Sequence, residues 1–212
     1  MFCTCHIKKV FFRIMKNFNI SKSAASDKWK ELSDLYCSKN RYYHTFTHIN
    51  NMLKVLNSFG IIKNDEVCDD KLILAAIYHD AVYNPQKNDN EDKSSLLMER
   101  HLNFFAVDEE INLIKKYILA TKTHQKTDDE AVNLFIDADM SVLGASAAEY
   151  KKYAAQIRKE YAFMSDEQFN EGRLAFLEKT LHCPFCTELF RAELQENAQT
   201  NMQNEIESLR KS

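Results

Sequence analysis

His79 and Asp80 stand side by side at the end of an almost pure hydrocarbon run, Leu72 to Tyr78. Ionisable side chains in such a run are costly to bury unless something pairs with them. A lone histidine there reads as a core residue bonded to a backbone carbonyl. The adjacent aspartate turns the reading toward a metal, because neighbouring helical side chains diverge by about 100° and can grip one ion from two sides. Further ligands are at hand. His44 and His48 lie four apart on one helical face. Thirty residues separate His48 from His79, enough to run down one helix and return along the next. Phe135-Ile136-Asp137-Ala138-Asp139-Met140 sets two carboxylates in another apolar stretch. His44 competes with His48 for a place in the set, and Asp137 with Asp139. Imidazole and carboxylate together suit Mn²⁺, Fe²⁺, Co²⁺, Ni²⁺ or Zn²⁺, not a thiolate structural site.

The elements that must position these residues are helices. Three glycines and two prolines in 212 residues cannot supply the turns of a sandwich or barrel. Gly60, Gly144 and Gly172 lie too far apart for a Gly-rich phosphate loop. Apolar spacing predicts helices over 27–38, 45–59, 71–83, 91–105, 109–121, 128–143, 147–163 and 165–181, then a last one near the C-terminus. The helix over 71–83 is apolar nearly all round and belongs in the middle of the fold. Gly60 is placed to stop its helix, and Ser165 with Gln168 forms a capping box. No repeat, low-complexity tract or composition break divides the chain. The expectation is an all-α, single-domain helical bundle.

Charge narrows the partners. Twenty-eight basic and 31 acidic residues leave a net charge of -3, so there is no strong nucleic-acid signal. No run of 18 apolar residues occurs, and no membrane span is expected. The opening MFCTCHIKKVFFRIMKNF is basic and apolar without the uninterrupted core of a secretory signal. Residues 1–25 read as an N-terminal lead-in, weakly ordered or amphipathic, and residues 26–210 as the helical domain. Six cysteines are too few for a disulfide scaffold and point to a reducing cytoplasm. Cys183-Pro184-Phe185-Cys186 lacks the βαβ setting of a redox pair, and only Cys3, Cys5 and His6 could make it a zinc site. Buried small hydrophobes are the better account.

The order His48, His79-Asp80, Asp139 resembles the HD-domain metal-dependent phosphohydrolase superfamily, whose fold is an all-helical bundle. The context is similar to one bacterial branch of small predicted HD hydrolases. Arg41, Tyr43, His44, His48 and Ile49 match its Arg-x-Tyr-His-x-x-x-His-Ile opening, and Tyr83 follows the His-Asp pair as it does there. Asn90, Glu91 and Ser94 match Asn-Glu-x-x-Ser, and Thr121 with His124 matches Thr-x-x-His. Asp137, Asp139, Leu143 and Gly144 match Asp-x-Asp with Leu-Gly. Later matches are Tyr150, Tyr153, Arg158, Glu160, Tyr161, Gly172, Arg173, Ala198 and Asn201. The resemblance runs from about Asp27 to Glu205; the cysteine pair departs from it.

The resemblance implies that His48, His79, Asp80 and Asp139 hold one divalent ion (Mn, Fe, Co, Ni, Zn or Mg), with a second left open. His48 is preferred to His44 because Ile49 after it starts the amphipathic run, and Asp139 to Asp137 because Ala-Asp precedes an apolar residue. It further implies hydrolysis of a nucleotide or other small phosphorylated metabolite through a metal-bound hydroxide, with Asp80 and Glu91 in the catalytic roles. Glu91, after the loop, is the candidate general acid or base; a carboxylate favouring the helix dipole is its plainer reading. Arg41, Arg158, Arg173, Lys87 and His124 are the candidate phosphate contacts. His124 is equally a helix-end histidine or a second-metal ligand. Tyr150, Tyr153 and Tyr161 share a face and read as core. The other function class is a non-catalytic HD regulatory module that binds a metal or nucleotide. Oligomeric state is left open.

Overall fold

The computed structural model describes residues 4–62 and 70–211. Cys3 and Cys68 lie outside the described residues. Ten α-helices and one 3₁₀ turn make up the regular structure of the described residues, with no strand among them. The all-α expectation holds. The helices gather into two compact units, the first ending at His124 and the second starting at Gln125. No composition change marks that boundary.

The first unit comprises α1 (Thr4–Asn17), α2 (Lys22–Tyr36), α3 (Phe46–Ser58), α4 (Asp70–Tyr78), α5 (Asn90–Leu102) and α6 (Asp108–Ala120). Its centre is α4, whose residues Ile73 to Tyr78 are all buried, as an all-round apolar helix requires. Tyr36 at the end of α2 donates its hydroxyl to the Ile77 carbonyl at 2.8 Å. Trp29 stacks on Phe46 with ring centroids 5.1 Å apart, which fixes the start of α3 against α2. Within residues 1–25, α1 is an amphipathic helix that buries Ile7, Phe11, Ile14 and Met15 completely. Each such side chain contributes about 1.5–3 kcal/mol of burial. Arg13 and Asn17 also bond the buried carboxylate of Asp70, at 2.8 and 2.7 Å, so α1 holds the first turn of α4.

The second unit comprises α7 (Glu130–Met140), a 3₁₀ turn (Ser141–Gly144), α8 (Ala147–Glu160), α9 (Asp166–Leu181) and α10 (Glu188–Leu209). The capping box of Ser165 and Gln168 opens α9. Gly144 permits a close approach: a Cβ there would lie 2.6 Å from Cβ of Leu194 and 2.7 Å from its carbonyl oxygen. Asn201 of α10 donates to the carbonyls of Leu143 and Ala145, both at 2.9 Å, and so pins the same turn. Arg173 of α9 is buried and gives Nε and Nη2 to the Glu205 carboxylate at 2.9 and 3.0 Å. Its Nη1 donates to the Tyr153 hydroxyl at 3.1 Å, while Tyr150 donates to Glu205 at 2.5 Å. Tyr150 and Tyr153 are therefore core, as their spacing suggested.

Candidate metal centre

Helix α3 begins at an N-cap, Thr45, whose hydroxyl accepts from the Thr47 amide at 3.2 Å. That start places His48 in the first turn, with Phe46 packed inward and His48 only 4% exposed. Helix α4 was expected to run to Tyr83 but ends at Tyr78, so His79 and Asp80 form the turn that follows it. The backbone there is claimed by side chains. Arg41 donates to the carbonyls of Asp80 and Ala81 at 2.6 and 2.7 Å. The Val82 amide goes to the Ser94 hydroxyl at 3.0 Å, and the Asn84 amide to Oδ1 of Asn90 at 2.9 Å. A helix cannot continue once its polar groups bond elsewhere. Asn90 and Ser94, two of the motif residues, thus hold the loop that follows the His-Asp pair.

The His79 ring is oriented by the Ala76 carbonyl, 3.0 Å from Nδ1. A carbonyl only accepts, so Nδ1 carries a proton, and Nε2 is the nitrogen left to face His48 and Asp80. That Nε2 lies 3.2 Å from Nε2 of His48 and 3.1 Å from Oδ2 of Asp80, and His48 Nε2 lies 3.7 Å from the same oxygen. The three form a group of ligand atoms that could hold a metal ion. Ligands about 2.0–2.2 Å from one ion stand roughly 3 to 3.5 Å from each other, which is close to the spacing found. Two imidazoles and a carboxylate fit a borderline or hard divalent cation.

Burial works against a charge on Asp80, but His79 beside it, then His44 and His48, outweigh that penalty. The carboxyl is held well below the usual aspartate range. His44 contributes through its field. Its ring stacks on Tyr83 at 4.1 Å, and it is not among the three residues that could hold a metal ion. Tyr43, centroid 4.8 Å from the His48 ring, walls the same side.

No family model matches this chain, and no curated protein matches it significantly.

The other expected site residues divide between the two units. In the first, Glu91 is half-buried in the opening turn of α5, and Lys87 is exposed on the loop before it. Arg41 is buried, with its terminal nitrogens given to main-chain carbonyls. His124 adopts a left-handed backbone (φ 51) just past α6, where its amide donates to the Ala120 carbonyl at 3.2 Å and closes the helix end. In the second unit, Arg158 bonds Asp166 at 2.6 Å and the carbonyls of Tyr161 and Met164 at 2.9 and 3.2 Å. Arg173 is spent on Glu205 and Tyr153.

The two candidate aspartates of α7 differ in kind. Asp137 is fully buried and accepts from the Cys186 amide, the Thr187 amide and the Thr187 hydroxyl at 2.6, 2.8 and 2.6 Å. It anchors the start of α10. Desolvation raises its pKa despite those three donors. Asp139 is half-buried in the last turn of α7. Cys186 packs beside Asp137, and burial together with that carboxylate pushes its thiol up to about 12. Cys183 and Cys186 are both free thiols. What sequence reasoning missed is the second layer: the Ala76 carbonyl that orients His79, and the main-chain bonds of Arg41. A backbone acceptor leaves no residue signal.

Proposed function

We propose that this chain is a metal-dependent phosphohydrolase of the HD type, acting on a nucleotide or another small phosphorylated metabolite. The observation that carries the reading is the convergence of His48 Nε2, His79 Nε2 and Asp80 Oδ2 within 3.1–3.7 Å, with a carbonyl holding His79 in the ligating tautomer. A divalent ion among them would bind all three atoms at once. When bound, a divalent ion lowers the pKa of water toward about 7 and polarises a phosphoryl oxygen. The chain's own residues then have three tasks. His48 and His79 supply neutral nitrogen donors, Asp80 supplies negative charge, and Glu91 moves a proton at the leaving or attacking oxygen.

A regulatory module that binds without turnover is the second reading. It is favoured by one observation: Arg41, Arg158 and Arg173, the guanidiniums expected on phosphate, all bond acceptors of the protein itself. Assay of the metal-loaded full chain against nucleotides and simple phosphate esters, with Mn²⁺, Co²⁺, Ni²⁺ and Mg²⁺, separates the two. Turnover that His79→Ala abolishes supports the hydrolase. Tight metal binding with no turnover of any ester supports the module.

A further inference from the structure

We propose that Arg41 is a positioning residue for the metal centre, clamping the turn that carries Asp80 to the segment that leads into His48. The proposal rests on the metal reading above. Arg41 belongs to neither helix of the centre, yet its side chain joins both approaches to it. Nη1 donates to the Asp80 carbonyl at 2.6 Å and to the His44 carbonyl at 3.2 Å, and Nη2 donates to the Ala81 carbonyl at 2.7 Å. One of those carbonyls belongs to a ligand residue, and another lies one helical turn before His48.

The guanidinium packs against two tyrosine rings. Its carbon lies 4.9 Å from the Tyr36 ring and 5.5 Å from the Tyr83 ring. Tyr36 is tied to α4 through the Ile77 carbonyl, and Tyr83 stacks on His44. A rigid fork held in this way fixes the spacing of two consecutive carbonyls, which a single ammonium cannot do. The need is plain: α4 stops at Tyr78, so no helical bond of its own holds the Asp80 carbonyl. A ligand misplaced by about 1 Å no longer serves its metal. With its terminal nitrogens engaged and Nε enclosed, Arg41 is built to hold main chain, not to receive a phosphate.

The test uses the metal-free full chain in four forms: parent, Arg41→Lys, Arg41→Gln and His48→Ala. Co²⁺ affinity is titrated, and amide exchange is followed separately over residues 79–83, α3 and α4. Arg41→Gln is expected to lose about 10- to 100-fold in Co²⁺ affinity and to exchange faster at 79–83, while α3 and α4 stay protected. Arg41→Lys falls between. Parent-like affinity in Arg41→Gln overturns the proposal. So does loss of protection throughout α3 and α4, which makes Arg41 a residue of the fold at large. A parent that binds Co²⁺ no better than His48→Ala defeats the metal reading instead. In that case unchanged exchange at 79–83 in Arg41→Gln overturns the clamp too, and faster exchange there upholds it for the turn alone.

Discussion

The Nε2 atoms of His48 and His79 face each other across 3.2 Å, in two side chains almost wholly removed from solvent. Each ring turns its Nε2 toward the other and toward Asp80, and the three residues could hold a metal ion.

Asp80→Ala is expected to abolish metal retention and hydrolysis together. The carboxylate supplies the only negative charge among the three converging ligands, and removing a ligand disturbs both the metal and the water it activates. Elemental analysis and turnover on the same preparation check this. Full metal content with full loss of rate would move Asp80 from ligand to proton carrier.

Glu91→Gln is expected to keep the metal and lose about 10²- to 10⁴-fold in turnover. Glu91 sits in the first turn of α5, beyond the loop that Asn90 and Ser94 hold, so its neutral isostere leaves that scaffold intact. Steady-state kinetics with metal analysis decides it. Parent-like kcat would pass the proton-carrying role to Lys87 or His124.

Asp80 and Asp137 pull acid stability in opposite directions. Asp80 is held below its ordinary value, so the native metal-free protein binds fewer protons there than the unfolded chain. Its stabilisation is present above about pH 4 and is lost as pH falls below that. Asp137 is raised by desolvation, so its contribution is full below about pH 4 and declines as pH rises through its elevated value. In metal-free protein, Asp80→Asn is expected to flatten the acid limb of the urea midpoint against pH. Asp137→Asn is expected to remove a decline on the other side. Identical pH profiles for parent and both variants would contradict the assignment.

Arg173→Met is expected to cost about 3 kcal/mol, since it leaves the half-buried Glu205 carboxylate without its cation, beside the Tyr150 hydroxyl. Adding Glu205→Leu is expected to recover most of that loss. Denaturant midpoints of the single and double variants test it. A neutral single variant would free Arg173 for the phosphate contact that its motif position suggested.

Helical content, the burial of the Ile73–Tyr78 run and the capping box at Ser165 were legible because they depend on spacing within a few residues. The metal-competent pair was legible for a related reason. Ionisable residues after an apolar run need partners, and that need is visible without knowing the partners. Three matters were decided only by the tertiary structure. His48, not His44, joins the cluster because α3 starts at Thr45 and turns His48 inward, while His44 is left to stack on Tyr83. Helix α4 stops at Tyr78 because Arg41, Asn90 and Ser94 take the next polar groups of the backbone, a competition between residues up to 40 apart that no local propensity records. Arg41, Arg158 and Arg173 carry the same charge and look alike as phosphate contacts, yet each bonds acceptors that folding brings to it. A periodic pattern reports which face of a helix is buried. Which donor meets which acceptor depends on where distant segments come to rest.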